Sequence, residues 1–294
     1  MAHGFTGPPA GGDRPDPQRV LAALLLAGSG RVFDLDIGRF PGMPHHPAQP
    51  GFDIVTYLSP QGSSNERQRA GKSPAVDGDN FGVVLEKVTT SMHMGTHLDA
   101  LCHVTAGEDC HGFGGFNGVD HVGDKGVLAN DVTEVPPILA RGVLLDVAGA
   151  LGAPKLAPTH AITASELEEA QGWAGVALHP GDVVLVRTGH LRDWPTYEFG
   201  PEPGLNLEAA LWLAGHEPFA VGSDNSAIEV MPSVIPGRAQ PVHVELIVER
   251  GIYLIEWVGL EELAAAAVSE FLFICLPLKI KGATGSLVRP VAVA

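Results

Sequence analysis

The 294-residue chain predicts an α/β fold from three observations. Short β-branched apolar runs recur along it, helix-forming stretches with cap signals stand between them, and no internal repeat or composition break divides it. Residues 82–85 (GVVL), 143–147 (VLLDV) and 183–186 (VVLV) read as buried strands, each brief and bounded by Gly or Asp. Thr163-Ala164-Ser165-Glu166 has the spacing of a capping box, which predicts a helix continuing through 167–173. In the last third, 242–250 reads as a helix stopped by Gly251, 252–257 as a strand, 260 onward as an Ala-rich helix and 271–276 as a final strand. Residues 1–18 are rich in Gly and Pro and read as a mobile arm, without the basic start and long apolar core of a secretory signal. Residues 20–27 (VLAALLLA) are far short of the roughly twenty needed to cross a bilayer, so they predict a packing helix, within the subunit or against a neighbour. Residues 19–294 are expected to form a single domain.

A formal charge of −16 argues against nucleic acid or an anionic membrane surface as partner, since both select clusters of Lys and Arg. The cysteines, Cys102, Cys110 and Cys275, form no Cys-x-x-Cys pair and are too few for a disulfide framework. A reducing cytoplasm is the expected setting, and a small molecule the expected partner.

The densest chemistry lies in His93-Met94-Gly95-Thr96-His97-Leu98-Asp99-Ala100-Leu101-Cys102-His103. In a regular helix His93 and His97 share a face and Asp99 points away. In an extended strand the odd-numbered positions share a face, but His93 and His97 then lie roughly 13 Å apart at about 3.3 Å per residue. Ligands bonded to one ion at about 2.0–2.2 Å cannot be that distant. The chain therefore has to turn between the two histidines, and Gly95 turns without a Cβ clash. Such a turn gathers His93, His97 and Asp99 and leaves His103 beside them. A lone histidine is more often a surface or core group with local hydrogen bonds; four polar groups around one Gly-Thr turn point to a metal. Imidazole with carboxylate suits Zn²⁺ or Mn²⁺, and Cys102 is expected to pack rather than ligate. Three firm ligands leave open positions, the catalytic rather than the structural arrangement.

The pattern H-x-G-T-H-x-D-x-x-x-H resembles the signature of the cyclase family of metal-dependent hydrolases, which includes bacterial kynurenine formamidase and isatin hydrolase. Residues 31–36 (RVFDLD), 181–189 (GDVVLVRTG) and 276–279 (LPLK) through 282–285 (GATG) resemble family blocks in the expected order, so the likeness spans most of the chain from about residue 30. The resemblance implies a mixed, β-barrel-like core flanked by helices, of the swivelling β/β/α type; periodicity alone does not choose this over a layered sheet. It also implies one or two Mn²⁺ or Zn²⁺ ions and a homodimer or homotetramer. Formamidase-like members commonly read Asp-Ala-Pro where this chain reads Asp99-Ala100-Leu101-Cys102-His103, which together with the longer chain places it nearer the isatin hydrolases.

In the resembling family a His and a Glu separated by a helix-turn-strand segment line the metal site, and the carry-over falls on His243 and Glu256. Without the resemblance both read as solvated surface groups. Glu245 and Glu249 are alternatives for the acidic role; Glu256 is preferred because it ends a strand, where sites in α/β proteins collect. The implied activity is hydrolysis of an isatin-like lactam or related lactone by metal-activated water. His103 is the expected general acid/base, because an unperturbed imidazole titrates near neutrality and the matching family histidine has this role. Glu256 is expected to orient His243 and water, or to reach a second ion through Asp99.

Residues 40–46 (FPGMPHH) resemble a family loop near the substrate, and Phe40, Phe113, Phe116 and Trp194 offer stacking surfaces, though core packing accounts for such residues equally well. Ser223 and Ser226, in Gly222-Ser223-Asp224-Asn225-Ser226, are candidate contacts to a substrate carbonyl, and the segment also reads as a turn. A Ser hydrolase is disfavoured by the absence of a Gly-x-Ser-x-Gly elbow, and a dinucleotide enzyme because Gly112-Phe113-Gly114-Gly115 lacks the fingerprint spacing. The competing functions are an arylformamidase acting on an N-formyl aromatic amine and a non-catalytic metal- or ligand-binding relative.

Overall fold

Nine strands, numbered here in chain order, pair into one mixed sheet: β1 (Val32–Asp34), β2 (His97–Asp99), β3 (Ile138–Asp146), β4 (Val183–Arg187), β5 (Ala220–Ser223), β6 (Tyr253–Glu256), β7 (Glu270–Cys275), β8 (Gly285–Leu287) and β9 (Val291–Val293). Their spatial order is β1-β9-β7-β3-β4-β5-β6-β2-β8. The central run β3-β4-β5-β6 is parallel, and antiparallel pairs flank it on both sides. The sheet curls into a half-barrel flanked by helices, the mixed α/β architecture that the sequence predicts. The computed structural model describes residues 16–71, 82–196 and 199–294.

β4, β5 and β6 are buried at every position. That is why they read as unbroken apolar runs rather than alternating ones: parallel strands are covered on both faces. Each fully buried Val, Leu or Ile there contributes about 1.5–3 kcal/mol. At one crossing only Gly fits, because a Cβ on Gly142 of β3 would lie 2.2 Å from the ring of Phe271 on β7. The capping box forms as expected: Thr163 and Glu166 bond each other's backbone, and the helix Ala164–Ala174 ends on Gly175 in the left-handed region at φ 67°.

Several expectations shift. The N-terminal arm lies largely outside the described residues, but Pro17 and Gln18 already belong to a helix, Pro17–Leu24, capped by the Asp16 side chain. That helix lies against β3 and β7 and buries Ala23, leaving Leu21, Leu24 and Leu25 exposed. Residues 82–85 are not a buried strand: Val84 and Leu85 are exposed, and Leu85–Thr89 pairs with Asp53–Leu58 in a two-stranded antiparallel ribbon. The helix expected over 242–250 is one α-turn, Pro241–His243, continued as a π-helix, Val244–Glu249. β7 is not the last strand; β8 and β9 follow, each too short to carry a readable period. No helix among the described residues is long and apolar enough to cross a membrane.

Candidate metal centre

β2 carries His97 and Asp99 two residues apart, hence on one face, and antiparallel pairing sets Glu256 of β6 opposite His97. The turn before β2 brings His93 back, with Gly95 at φ 61°, the left-handed conformation the spacing requires. The α-turn Pro241–His243 supplies His243. His97, Asp99, His243 and Glu256 are all buried. His97 Nε2 lies 3.5 Å from Asp99 Oδ1 and 3.3 Å from Glu256 Oε2. His243 Nε2 lies 3.1 Å from Glu256 Oε1 and 3.8 Å from Asp99 Oδ2. Yet Asp99 Oδ2 and Glu256 Oε1, both buried, accept no hydrogen bond. Buried carboxylate oxygens without donors are costly unless something else satisfies them. Ligands about 2.0–2.2 Å from one ion stand about 3.0–3.5 Å from each other, close to the spacings above. The donor set, imidazole and carboxylate without thiolate, therefore fits a divalent cation of the Zn²⁺ or Mn²⁺ kind.

His93 is engaged differently. Its Nδ1 is 2.7 Å from Asp99 Oδ1 and its Nε2 2.9 Å from Thr284 Oγ1, while its ring stacks on His103 at 3.9 Å between centroids. Asp99 is thus shared between two groupings, His97–Asp99–Glu256 and His93–Asp99–His103.

The two buried imidazoles are held from behind. His97 Nδ1 is 2.7 Å from the Gly95 carbonyl, and His243 Nδ1 is 2.8 Å from Glu229 Oε1. Glu229 also accepts from the backbone N–H groups of Val242 and His243. These bonds fix each ring so that Nε2 faces inward, where a cation could take the place of the Nε2 proton. Sequence reasoning missed Glu229; its one signal is a lone carboxylate in the apolar run Ala227-Ile228-Glu229-Val230, which argues for burial with a partner. Glu229→Gln is expected to weaken Mn²⁺ or Zn²⁺ binding by about 10–100-fold, as isothermal titration would measure.

Burial alone lowers the pKa of His97, but the adjacent Asp99 and Glu256 carboxylates outweigh it and push it up to about 10. His243 likewise rises to about 10, burial being overcome by Glu229 and Glu256. His103 goes the other way: burial lowers it to about 4 despite the opposing pull of Asp99. Burial therefore leaves this ring neutral at pH 7, away from the near-neutral titration expected from sequence. Cys102 is buried in the core, and burial pushes its thiol up to about 12, so it packs rather than reacts.

Of the other sequence candidates, Phe40 and Trp194 come together, with ring centroids 6.2 Å apart. Trp194 in turn packs edge-on against Trp257, the residue after Glu256, at 5.5 Å. Phe113 and Phe116 are not stacking surfaces but members of the hydrophobic core, each 3% exposed. Ser226 is held by Glu202, to which its N–H and hydroxyl both donate. Ser223 follows Gly222, the partner of Ile255, and so lies beside Glu256; its buried hydroxyl has no hydrogen-bond partner. The alternative acids are occupied elsewhere, Glu245 with Arg250 and Glu249 near His111 at 4.0 Å.

A curled mixed sheet that gathers buried imidazoles and carboxylates from β2, β6 and one helical turn defines an α/β protein with a candidate metal centre. A family model, Cyclase, described as Putative cyclase, matches residues 33–230, more than half of the chain, and the protein belongs to this family. His243 and Glu256 lie beyond the matched residues. Among solved structures, the chain is similar to a novel cyclase at 26% identity and TM-score 0.83, covering 97% of this chain and 94% of that one. It is similar in fold to isatin hydrolase A from Ralstonia solanacearum at 22% identity and TM-score 0.64, with 95% and 97% covered. An isatin hydrolase bound to the product analogue thioisatinate aligns at 19% identity and TM-score 0.61, with 95% and 99% covered. No curated protein matches the chain.

Proposed function

We propose that this protein is a metal-dependent hydrolase that opens a cyclic amide of the isatin type or a related lactone, acting on a small molecule and not on nucleic acid or a membrane surface. The observation that carries the reading is the pair of buried oxygens, Asp99 Oδ2 and Glu256 Oε1, that face imidazole nitrogens without a hydrogen-bond donor. His97, Asp99, His243 and Glu256 would hold the cation. When bound, such a cation supplies Lewis acidity toward the scissile carbonyl and water activated near neutral pH.

The chain's own residues do the rest. His103, neutral and stacked on His93, takes a proton at a ring nitrogen from the attacking water and delivers it to the leaving nitrogen or oxygen. Thr284 and Asp99 hold His93 from both ring nitrogens, so the platform under His103 does not rotate. The Ser223 hydroxyl, beside Glu256, donates to the substrate carbonyl. Phe40 and Trp194 form an aromatic wall that suits a flat ring.

The test is metal content of the purified protein together with isatin hydrolysis before and after chelation and Mn²⁺ or Zn²⁺ addition. Activity that chelation removes and the ion restores is expected. Metal without turnover of isatin, but with turnover of an N-formyl aryl amine run in parallel, would make the protein an arylformamidase; failure to bind metal even on reconstitution would overturn the reading.

A further inference from the structure

Arg39, on the loop that follows β1, meets five acceptors with the five N–H donors of its guanidinium. Nε donates to the Met94 carbonyl at 2.9 Å. Nη1 is 3.1 Å from each carboxylate oxygen of Asp36, and Nη2 donates to the carbonyls of Thr96 and, at 3.3 Å, Val288. The two side chains are only 12% and 13% exposed, so these bonds lie largely out of water. A guanidinium that served the loop alone would be satisfied by Asp36. Three of the five bonds instead leave the loop, and two of those go to Met94 and Thr96, the residues on either side of Gly95.

The Gly95 carbonyl is the group 2.7 Å from His97 Nδ1. Glycine is the most permissive backbone, so Gly95 at φ 61° makes the turn without by itself fixing where that carbonyl points. Arg39 fixes it from both sides. A Cβ on Gly95 would stand 3.2 Å from Met43 Cε and 3.4 Å from Arg39 Cγ, so the loop lies directly on the turn. The support is itself anchored: the Ile37 N–H donates to Thr96 Oγ1 at 3.1 Å, and the Ile37 carbonyl accepts from Trp194 Nε1 at 3.1 Å. Thr96 Oγ1 in turn donates to the Trp257 carbonyl at 2.6 Å, which carries the brace on to the residue beside Glu256.

We propose that Arg39 is a positioning residue for the metal centre: through the Met94 and Thr96 carbonyls it holds the Gly95 carbonyl that orients His97. The proposal rests on the metal-centre reading. Lysine keeps the charge and the pairing with Asp36, but one ammonium cannot span the separate carbonyls that a planar fork reaches. The experiment is isothermal titration of Mn²⁺ or Zn²⁺ into the full chain, with the visible spectrum of the Co²⁺-loaded protein, for the wild type, Arg39→Lys and Asp36→Asn. Arg39→Lys is expected to bind about 10-fold or more weakly, the scale of losing a group that orients a ligand, and to shift the Co²⁺ bands, which report coordination geometry. Asp36→Asn loosens the far side of the fork and is expected to move both readouts in the same direction by less. A purely structural role would lower the Tm of Arg39→Lys but leave affinity and spectrum of the folded variant at wild-type values, and that result would overturn the proposal. If Arg39→Lys does not fold, Asp36→Asn decides alone, and unchanged affinity and spectrum overturn the proposal there too. A wild type that binds no ion would overturn the metal-centre reading along with it.

Discussion

Replacing Asp99 by Asn is expected to remove metal binding and turnover together. Asp99 is fully buried and shared by both groupings, with Oδ1 2.7 Å from His93 Nδ1 and Oδ2 turned toward His243 without a hydrogen bond. The amide is nearly isosteric, so the fold should persist, but it is neutral and places an N–H₂ donor at one of the two oxygen positions. Losing a group at the centre of the donor set should cost more than losing one behind it, so affinity for Mn²⁺ or Zn²⁺ is expected to fall by more than about 100-fold. Titration calorimetry, with circular dichroism to show that the variant folds, decides the matter. Binding at wild-type strength would remove Asp99 from the metal centre.

The second large effect is at His103. His103→Gln is expected to lower kcat by about 100-fold or more with metal content unchanged, the usual contribution of a general acid/base. The pH profile provides the distinguishing readout. Burial disfavours the charged ring and holds its pKa near about 4, so the proton-accepting form dominates above that value and is lost as pH falls through it. Wild-type kcat/KM should therefore show an acid limb near pH 4, and His103→Gln should lack that limb. Loss of metal from this variant would instead make His103 a ligand of the His93–Asp99–His103 grouping.

Much of the candidate site is legible in the sequence. His93, His97, Asp99 and His103 lie within one local segment, and backbone geometry alone required the turn that Gly95 makes at φ 61°. Local chemistry also sufficed for the Thr163–Glu166 capping box and for the buried strands β3 and β4. These features depend on neighbours a few residues away, for which sequence order is a faithful guide to distance.

The features that sequence order does not reveal depend on contacts between distant segments. Phe113 and Phe116 look in sequence just like Phe40 and Trp194, yet the first two fill the core and the second two pair at 6.2 Å. Residues 82–85 have the composition of a buried strand, but only Leu85 joins a strand and that strand lies in an exposed ribbon, because burial is a property of what lies opposite. The sequence by itself determined the α/β class, the local His/Asp cluster and the turn that gathers it. Only the tertiary structure decided that Glu256, not Glu245 or Glu249, faces His97, that Glu229 sits behind His243, and that His103 is neutral. Each of those follows from strand register and burial, which bring together residues that sequence separation leaves unrelated.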